Sequence, residues 1–354
     1  MRGLVAMSIS RLTISNDPLL YEAWPDVVLT SDGRLVCVFS ECTHHKNRSY
    51  TRIMQTESFD RGRTWSRKHP VTEGTEKLPF YFNCPRIFHL AGDRLGLLVD
   101  RLRHGCDEAA PETSDLLLFE SSDNGSTWSS PRLLPLHGIV PDKLVRTENG
   151  RWFVSAHHSF QGRLSQYLIY SDDNGSTWSS PVLIAHDPDS ELCEASLLPL
   201  GNGALVALLR DNTCRGKDCR KVISYDNGET WSPVLDFPLP GAYRPVAGFL
   251  NDGRILITYR FCQGGKRGIG ANSQNLFAAL TTREALLEKD RSLCSVNILP
   301  VDHDRSVYAD TGYSGWVQFP DGEIYIVNYI VDDAGDRAQI RGYSLFPDDI
   351  VTIP

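Results

Sequence analysis

One turn is written four times along the chain. It reads SFDRGRTW (Ser58–Trp65), SSDNGSTW (Ser121–Trp128), SDDNGSTW (Ser171–Trp178) and SYDNGETW (Ser224–Trp231), with the common form S-x-D-x-G-x-T-W. Each part has a physical job. The Asp carboxylate accepts backbone N–H bonds inside the turn, and the Gly takes a positive φ that other residues resist. The Trp folds back as an apolar anchor whose indole N–H still seeks a partner. Such self-similarity confines a chain to repeat architectures, in which each unit buries its apolar faces against its neighbours.

A second pattern runs in phase with the first. WPDVVLTSDGRLVCVF (24–39), CPRIFHLAGDRLGLLV (84–99), VPDKLVRTENGRWFVS (140–155), EASLLPLGNGALVALL (194–209), RPVAGFLNDGRILITY (244–259) and YSGWVQFPDGEIYIVN (313–328) share one shape. Each reads as strand, tight DG, GD or NG turn, and strand, which is a hairpin signal. The first four hairpins are each followed by the repeated turn, which joins two further strands. Six four-stranded units at roughly 50–70-residue spacing predict an all-β, six-bladed β-propeller, because a closed ring leaves only short sheet edges. Two β-sandwiches would not repeat one turn in register. The blades are expected at 20–75, 76–135, 136–187, 188–238, 239–300 and 301–354, one domain over 1–354, with SISRLTIS (8–15) closing the last blade. The fifth unit lacks the turn, and LTTREALLEKD (280–290) reads there as a short helix.

Charge and composition narrow the partners. The net charge is −8 and no Lys/Arg run exceeds two, which argues against nucleic acid or an anionic membrane. No stretch approaches the roughly 20 apolar residues of a membrane span. The N-terminus does not read as a signal peptide, and nine cysteines, an odd number with no CxxC pair, favour reduced thiols. A cytoplasmic location is the expectation.

The repeated turns resemble the Asp boxes of the sialidase (neuraminidase) superfamily, and the resemblance covers residues ~20–345 in the six-hairpin pattern. It implies that Asp60, Asp123, Asp173 and Asp226 are structural and lie on the face opposite an active site. Strand order alone gathers the start of each hairpin, its end and the following loop at one mouth. The ionisable residues there are Asp26, Glu41, His44, His45, Arg48, Arg86, Asp100, Arg101, Asp142 and Lys143 from the first three blades. The others are His157, His158, Glu194, Arg210, Asp211, Arg244, Arg260, Arg267, Asp310 and Tyr313. Convergent acids, arginines and aromatics are what a polar sugar site needs.

Two stretches sharpen this. CEASLLPLGNGALVALLRDNTCRGKDCRKVISYDNGETW (193–231) resembles the sialidase segment that carries a glutamate, an arginine and then an Asp box. By that match Glu194 activates the nucleophile and Arg210 is one of three arginines that clamp the sugar carboxylate. GYSGWVQFPDGEIYIVNY (312–329) resembles the segment carrying the tyrosine nucleophile, which falls on Tyr313. Sialidases are the tyrosine exception among glycosidases, and a neighbouring Glu that removes the phenolic proton makes the oxygen nucleophilic.

The chain also departs from the pattern. Ala23 stands where the first clamp arginine would be, a loss of a bidentate contact, with Arg48, Arg86 or Arg101 as replacements. The fifth blade offers Arg244, Arg260 and Arg267, with Arg260 preferred over Arg267. RSYTRIMQTES (48–58) puts Arg52 where the acid/base aspartate is expected, leaving Asp26, Glu41 or Asp100 as proton donors if burial raises them. The expected catalytic set is Tyr313, Glu194 and Asp26, and the expected sugar contacts are Arg210, Arg244, Arg260, Glu41, His44, Arg101 and Asp211. The expected activity is exo-hydrolysis of a terminal sialic acid, or a related acidic or neutral sugar, from an oligosaccharide, with no cofactor and no metal. The alternatives are a lectin without catalysis, a protein-interaction scaffold, and a glycosidase or lyase of altered specificity that uses a carboxylate pair or a His-bound metal. The last would draw on His44–His45 and His157–His158 with Asp26 or Glu41, although adjacent strand histidines point to opposite faces.

Overall fold

The six hairpins become strand pairs in six four-stranded antiparallel sheets, in a computed structural model that describes residues 9–74, 77–262, 273–332 and 337–350. Nearest the axis are Tyr21–Leu29, Phe80–His89, Val145–Arg146, Leu192–Gly201, Ala242–Phe249 and Thr311–Gln318. The next strands carry unbroken apolar runs: Leu35, Val36, Cys37, Val38 and Phe39 are all fully buried. A sheet packed on both faces by neighbouring blades has no solvated side, so period-two polarity disappears. Each such side chain contributes about 1.5–3 kcal/mol on burial, and the core lies between blades.

The sixth sheet takes its outer strand, Ser10–Ser15, from the other end of the sequence. It pairs antiparallel with Gln339–Leu345, in the register Ser10 to Ser344 and Leu12 to Gly342. Strands remote in sequence thus share one sheet and the ring closes.

The four repeated turns have one geometry. Asp60 accepts from Thr64 N at 2.8 Å and from Thr64 Oγ1 at 2.7 Å, and Asp173 does the same with Thr177 at 2.8 and 2.7 Å. These Thr hydrogen bonds hold Asp60, Asp123 and Asp173 at about 2. The chain turns through two left-handed residues in succession, such as Asn124 at φ 57° and Gly125 at φ 85°. Each turn also fastens its blade to the preceding one. Trp65 donates to Tyr325 Oη of the sixth blade at 3.3 Å, and Trp128 donates to Gln55 Oε1 of the first at 2.8 Å. Arg132 of the second blade donates to Gly175 O, and Gly228 packs on Phe153 of the third.

In the fifth blade a short helix, Arg283–Leu287, replaces the turn, capped by Thr282. Lys221 of the fourth blade is fully buried and donates to Ala285 O at 3.3 Å, to Leu286 O at 3.1 Å and to Glu288 O. An ammonium on the orphan carbonyls of a helix end does here what the Trp does elsewhere.

The turns share a face with the hairpin tips. Arg61 pairs with Asp321 at 2.7 Å, and Asn124 donates to Ser31 at 3.1 Å. The other face, where the inner strands begin, is the one that carries Glu194 and Tyr313.

Candidate active site

Five of the six inner strands are broken near their start. Pairing with the second strand skips two residues between Ala23 and Asp26, Phe82 and Pro85, Cys193 and Ser196, Tyr243 and Val246, and Gly312 and Gly315. The first skipped residue is left-handed in four of these, with φ of 54° at Trp24, 52° at Glu194, 50° at Arg244 and 55° at Tyr313, and Val140 in the third blade has φ 50°. Bulky residues resist this region, at about 1–3 kcal/mol each. A bulge of this kind breaks the alternation of a strand and re-aims one side chain. The amides it frees are caught across blades: His157 Nδ1 accepts Glu194 N at 3.3 Å, and Asp100 Oδ2 accepts Val140 N at 3.0 Å. Burial pushes His157 down to about 4, so its ring is neutral and can accept.

Two of the re-aimed residues meet. Tyr313 donates to Glu194 Oε1, and both are buried. Arg210 Nη1 donates to Glu194 Oε1 at 2.7 Å and to Tyr313 Oη at 3.3 Å, with its guanidinium 3.8 Å above the Tyr243 ring. Arg260 lies 5.0 Å from the Tyr313 ring. Burial pushes the Glu194 carboxyl up, but Arg210, Arg260 and the Tyr313 hydrogen bond outweigh it and hold it at about 2. Burial and the Glu194 charge push the Tyr313 phenol up against Arg210 and Arg260. At neutral pH the pair is therefore a phenol hydrogen-bonded to a carboxylate, with the proton acceptor already in place.

A second polar cluster adjoins the first. Asp310 Oδ1 accepts from Tyr329 Oη at 2.7 Å and lies 3.5 Å from Arg260 Nη1, while Oδ2 is bound by Tyr21 Oη and His45 Nδ1. Burial raises the Asp310 carboxyl, and His45 and Arg260 override that to hold it at about 2. Trp24 lies edge-on to His45 at 5.3 Å and 4.4 Å under the Arg48 guanidinium, which donates to Asn83 Oδ1 at 2.6 Å.

Tyr313, Glu194, Arg210 and Arg260 are thus brought together, and the other expected residues are not. Asp26 accepts Ile87 N at 3.0 Å and pairs with Lys143 at 2.9 Å. Glu41 is held by Arg52 and Lys68, both at 2.6 Å. Arg244 is fully buried, donating to Ala195 O at 3.0 Å and Pro141 O at 2.9 Å. Arg101 pairs with Asp115 at 2.5 Å. Asp211 accepts Thr213 N at 3.0 Å and pairs with Lys217 at 3.2 Å. His44 lies tilted against Tyr21, 5.4 Å between ring centres, while its neighbour His45 takes Asp310. In each case a nearer partner claims the group before the mouth does: an opposite charge or an amide for the acids and Arg101, backbone carbonyls for Arg244 and the Tyr21 ring for His44. Arg267 lies outside the described residues.

Among the described residues no three His, Cys, Asp or Glu side chains are grouped to hold a metal ion. Two cavities of about 310 Å³ lie away from Tyr313, one beside Arg11, Arg305 and Arg341 and one beside Thr147, Gly201 and Asn227. The arginines of the first are already paired with Asp302 and Asp332, so the ionisable mouth remains the chemical centre. Tyr21, Tyr243 and Tyr329 carried no signal in the sequence. The bulges did: WP, CP, VP and RP recur at the break (24–25, 84–85, 140–141, 244–245), and proline restricts the backbone of the residue before it, disfavouring the right-handed helical region.

Six four-stranded blades, Asp boxes on one face and an ionisable mouth on the other define the class: a six-bladed, Asp-box β-propeller. The chain belongs to the family described as BNR repeat-like domain, whose profile matches residues 81–326. No curated protein matches it in sequence. Its structure is similar to that of a protein of unknown function from Dyadobacter fermentans DSM 18053, at TM-score 0.76 and 19% identity over 96% of this chain and 99% of that one. It is also similar to the Hadza microbial sialidase Hz136, at TM-score 0.69 and 18% identity over 94% of this chain and 66% of that one. The NanB sialidase of Streptococcus pneumoniae follows at 0.67 and 15%, over 98% and 71%. At such identities the shared property is the fold.

Proposed function

We propose that the protein is an exo-glycosidase that removes a terminal acidic sugar from an oligosaccharide, with Tyr313 as nucleophile and Glu194 as the base that activates it. The observation that carries this is the Tyr313–Glu194 hydrogen bond, flanked by Arg210 and Arg260 at the start of the inner strands. In this mechanism Tyr313 Oη attacks the anomeric carbon as its proton passes to Glu194. A phenol, unlike a carboxylate nucleophile, does not repel an anionic sugar. Arg48, Arg210 and Arg260 outnumber Glu194 and Asp310, which favours an acidic substrate. Ala23, at the position of the missing clamp arginine, is fully buried in one packing cluster with Tyr21 and Trp24. Two arginines and an aromatic wall, rather than three arginines, would then hold the sugar. That geometry suits a uronide as well as a sialoside.

The test is hydrolysis of a panel of aryl glycosides (α-sialoside, uronides and neutral sugars) by wild type, Tyr313→Phe and Glu194→Gln. Cleavage of an acidic sugar that both variants lose is the expected result. Cleavage that survives Tyr313→Phe removes the tyrosine mechanism. Silence across the panel, with glycan binding retained, makes the protein a lectin.

A further inference from the structure

We propose that His45, oriented by Asp310, is the general acid and base of this site, taking the place of the aspartate that the sialidase resemblance leads one to expect near Arg52. The inference rests on the exo-glycosidase reading and adds the proton donor which that reading lacks. A donor must reach the leaving oxygen, hold a fixed orientation and have no structural partner at its reacting atom.

The carboxyls of the first two blades fail on these grounds. Asp26, Glu41 and Asp100 are all fully buried. Asp26 is taken by Ile87 N and Lys143, and Glu41 by Arg52 and Lys68. Asp100 Oδ2 accepts both Asn83 Nδ2, at 2.8 Å, and Val140 N, at 3.0 Å. None can meet a glycosidic oxygen without breaking one of these buried contacts.

His45 meets every condition. Its side chain is 33% exposed, against 17% for Asp310. Nδ1 bonds Asp310 Oδ2, and Nε2 has no hydrogen-bond partner among the described residues. Asp310 cannot swing away, because Tyr21, Tyr329 and Arg260 hold it. A carboxylate fixed on Nδ1 sets the tautomer and orientation of the ring, leaving Nε2 as the atom that exchanges a proton with the substrate. Placement agrees. His45 lies against Trp24, and Tyr329 lies 6.2 Å from the Trp24 ring and 6.3 Å from that of Tyr313. The imidazole and the nucleophile are thus linked by one run of ring contacts through Trp24 and Tyr329.

The step balances. As Tyr313 Oη bonds to the anomeric carbon and gives its proton to Glu194, the C–O bond to the leaving group breaks and its electron pair stays on oxygen. That oxygen takes the Nε2 proton. The neutral imidazole then takes a proton from the water that attacks the glycosyl–tyrosine, and Glu194 returns its proton to the departing phenolate.

Leaving-group dependence tests this. For each sugar that wild type cleaves, 2,4-dinitrophenyl and methyl glycosides are compared in wild type, His45→Gln, His45→Asn, Asp310→Asn and Asp100→Asn, with folding checked by thermal melting. An acid is needed for the methyl glycoside and dispensable for the activated one. His45→Gln is expected to lose about 10²–10⁴-fold in kcat/KM on the methyl glycoside and about tenfold or less on the other. Asp310→Asn, a positioning change, should show the same skew with a smaller loss. Equal losses on both substrates in the folded His45 variants, or the skew appearing in Asp100→Asn instead, would overturn the inference and leave the exo-glycosidase reading standing. A wild type silent on every glycoside would take down both.

Discussion

Asp26 of the first blade and Asp142 of the third occupy one structural slot. Each stands two residues past a left-handed residue, Trp24 or Val140, and each accepts an inner-strand amide of the next blade: Ile87 N at 3.0 Å and Leu197 N at 2.7 Å. Ser196 fills the same slot in the fourth blade and accepts Ala247 N at 3.0 Å. The bulge that aims a side chain into the mouth also tilts the following residue toward the neighbouring sheet, and a short acceptor there ties the two together.

This equivalence predicts the behaviour of Asp26. Asp26→Ala and Asp142→Ala each strand a buried amide, and each is expected to cost about 2 kcal/mol or more in urea unfolding. Neither should change the ratio of activities on good and poor leaving groups. A change confined to Asp26→Ala would restore it as the acid.

Tyr313 and Glu194 act as one unit, and so their substitutions should not add. Glu194→Gln is expected to lower kcat about 10²–10⁴-fold. The double variant with Tyr313→Phe should fall no further than the worse of the two single variants. Additive losses in steady-state kinetics would show that the two groups work independently.

Acid should destabilise the ring through the same groups. Glu194 and Asp310 sit at about 2 in the folded protein, against about 4.3 and 3.9 for free side chains. A depressed folded value means the unfolded chain binds more protons as pH falls. The stabilisation is complete above about pH 5 and is lost as pH falls from there to about 2. Urea midpoints across that window should drop steeply for wild type and less steeply for Glu194→Gln and Asp310→Asn. Equal slopes in all three would move the effect to other carboxylates.

Two glycines separate backbone strain from inter-blade contact. Gly33 has φ 84° with nothing near its missing Cβ, whereas Gly62 has φ 83° and a Cβ there would stand 2.3 Å from the Tyr325 ring. Gly33→Ala should cost about 1–2 kcal/mol from the left-handed backbone alone. Gly62→Ala should cost clearly more, because Tyr325 cannot retreat without opening the joint between the first and sixth blades. Thermal melts of the two variants compare them directly, and similar costs would mean that the joint gives way freely.

The blades are legible in the order of the amino acids alone. Four Asp boxes and six hairpins carry their own turn chemistry, and that chemistry is local: an Asp, a Gly and a Thr within a few residues satisfy one another wherever they occur. The assignment of Tyr313, Glu194, Arg210 and Arg260 to one rim followed from strand direction. Which rim charges converge depends on how the blades pack around the ring. Closing the ring brings residues 119 positions apart into contact, and the bulges override the period-two alternation that a sequence reading assumes. Most rim charges were then claimed by closer partners, Asp26 by Lys143 and Ile87, Glu41 by Arg52 and Lys68. Buried charges go to whichever partner the packing brings nearest: for Glu41 that is Arg52 and Lys68 of its own blade, and for Asp26 it is Lys143 and Ile87 of two other blades, at a distance along the chain that no local pattern encodes.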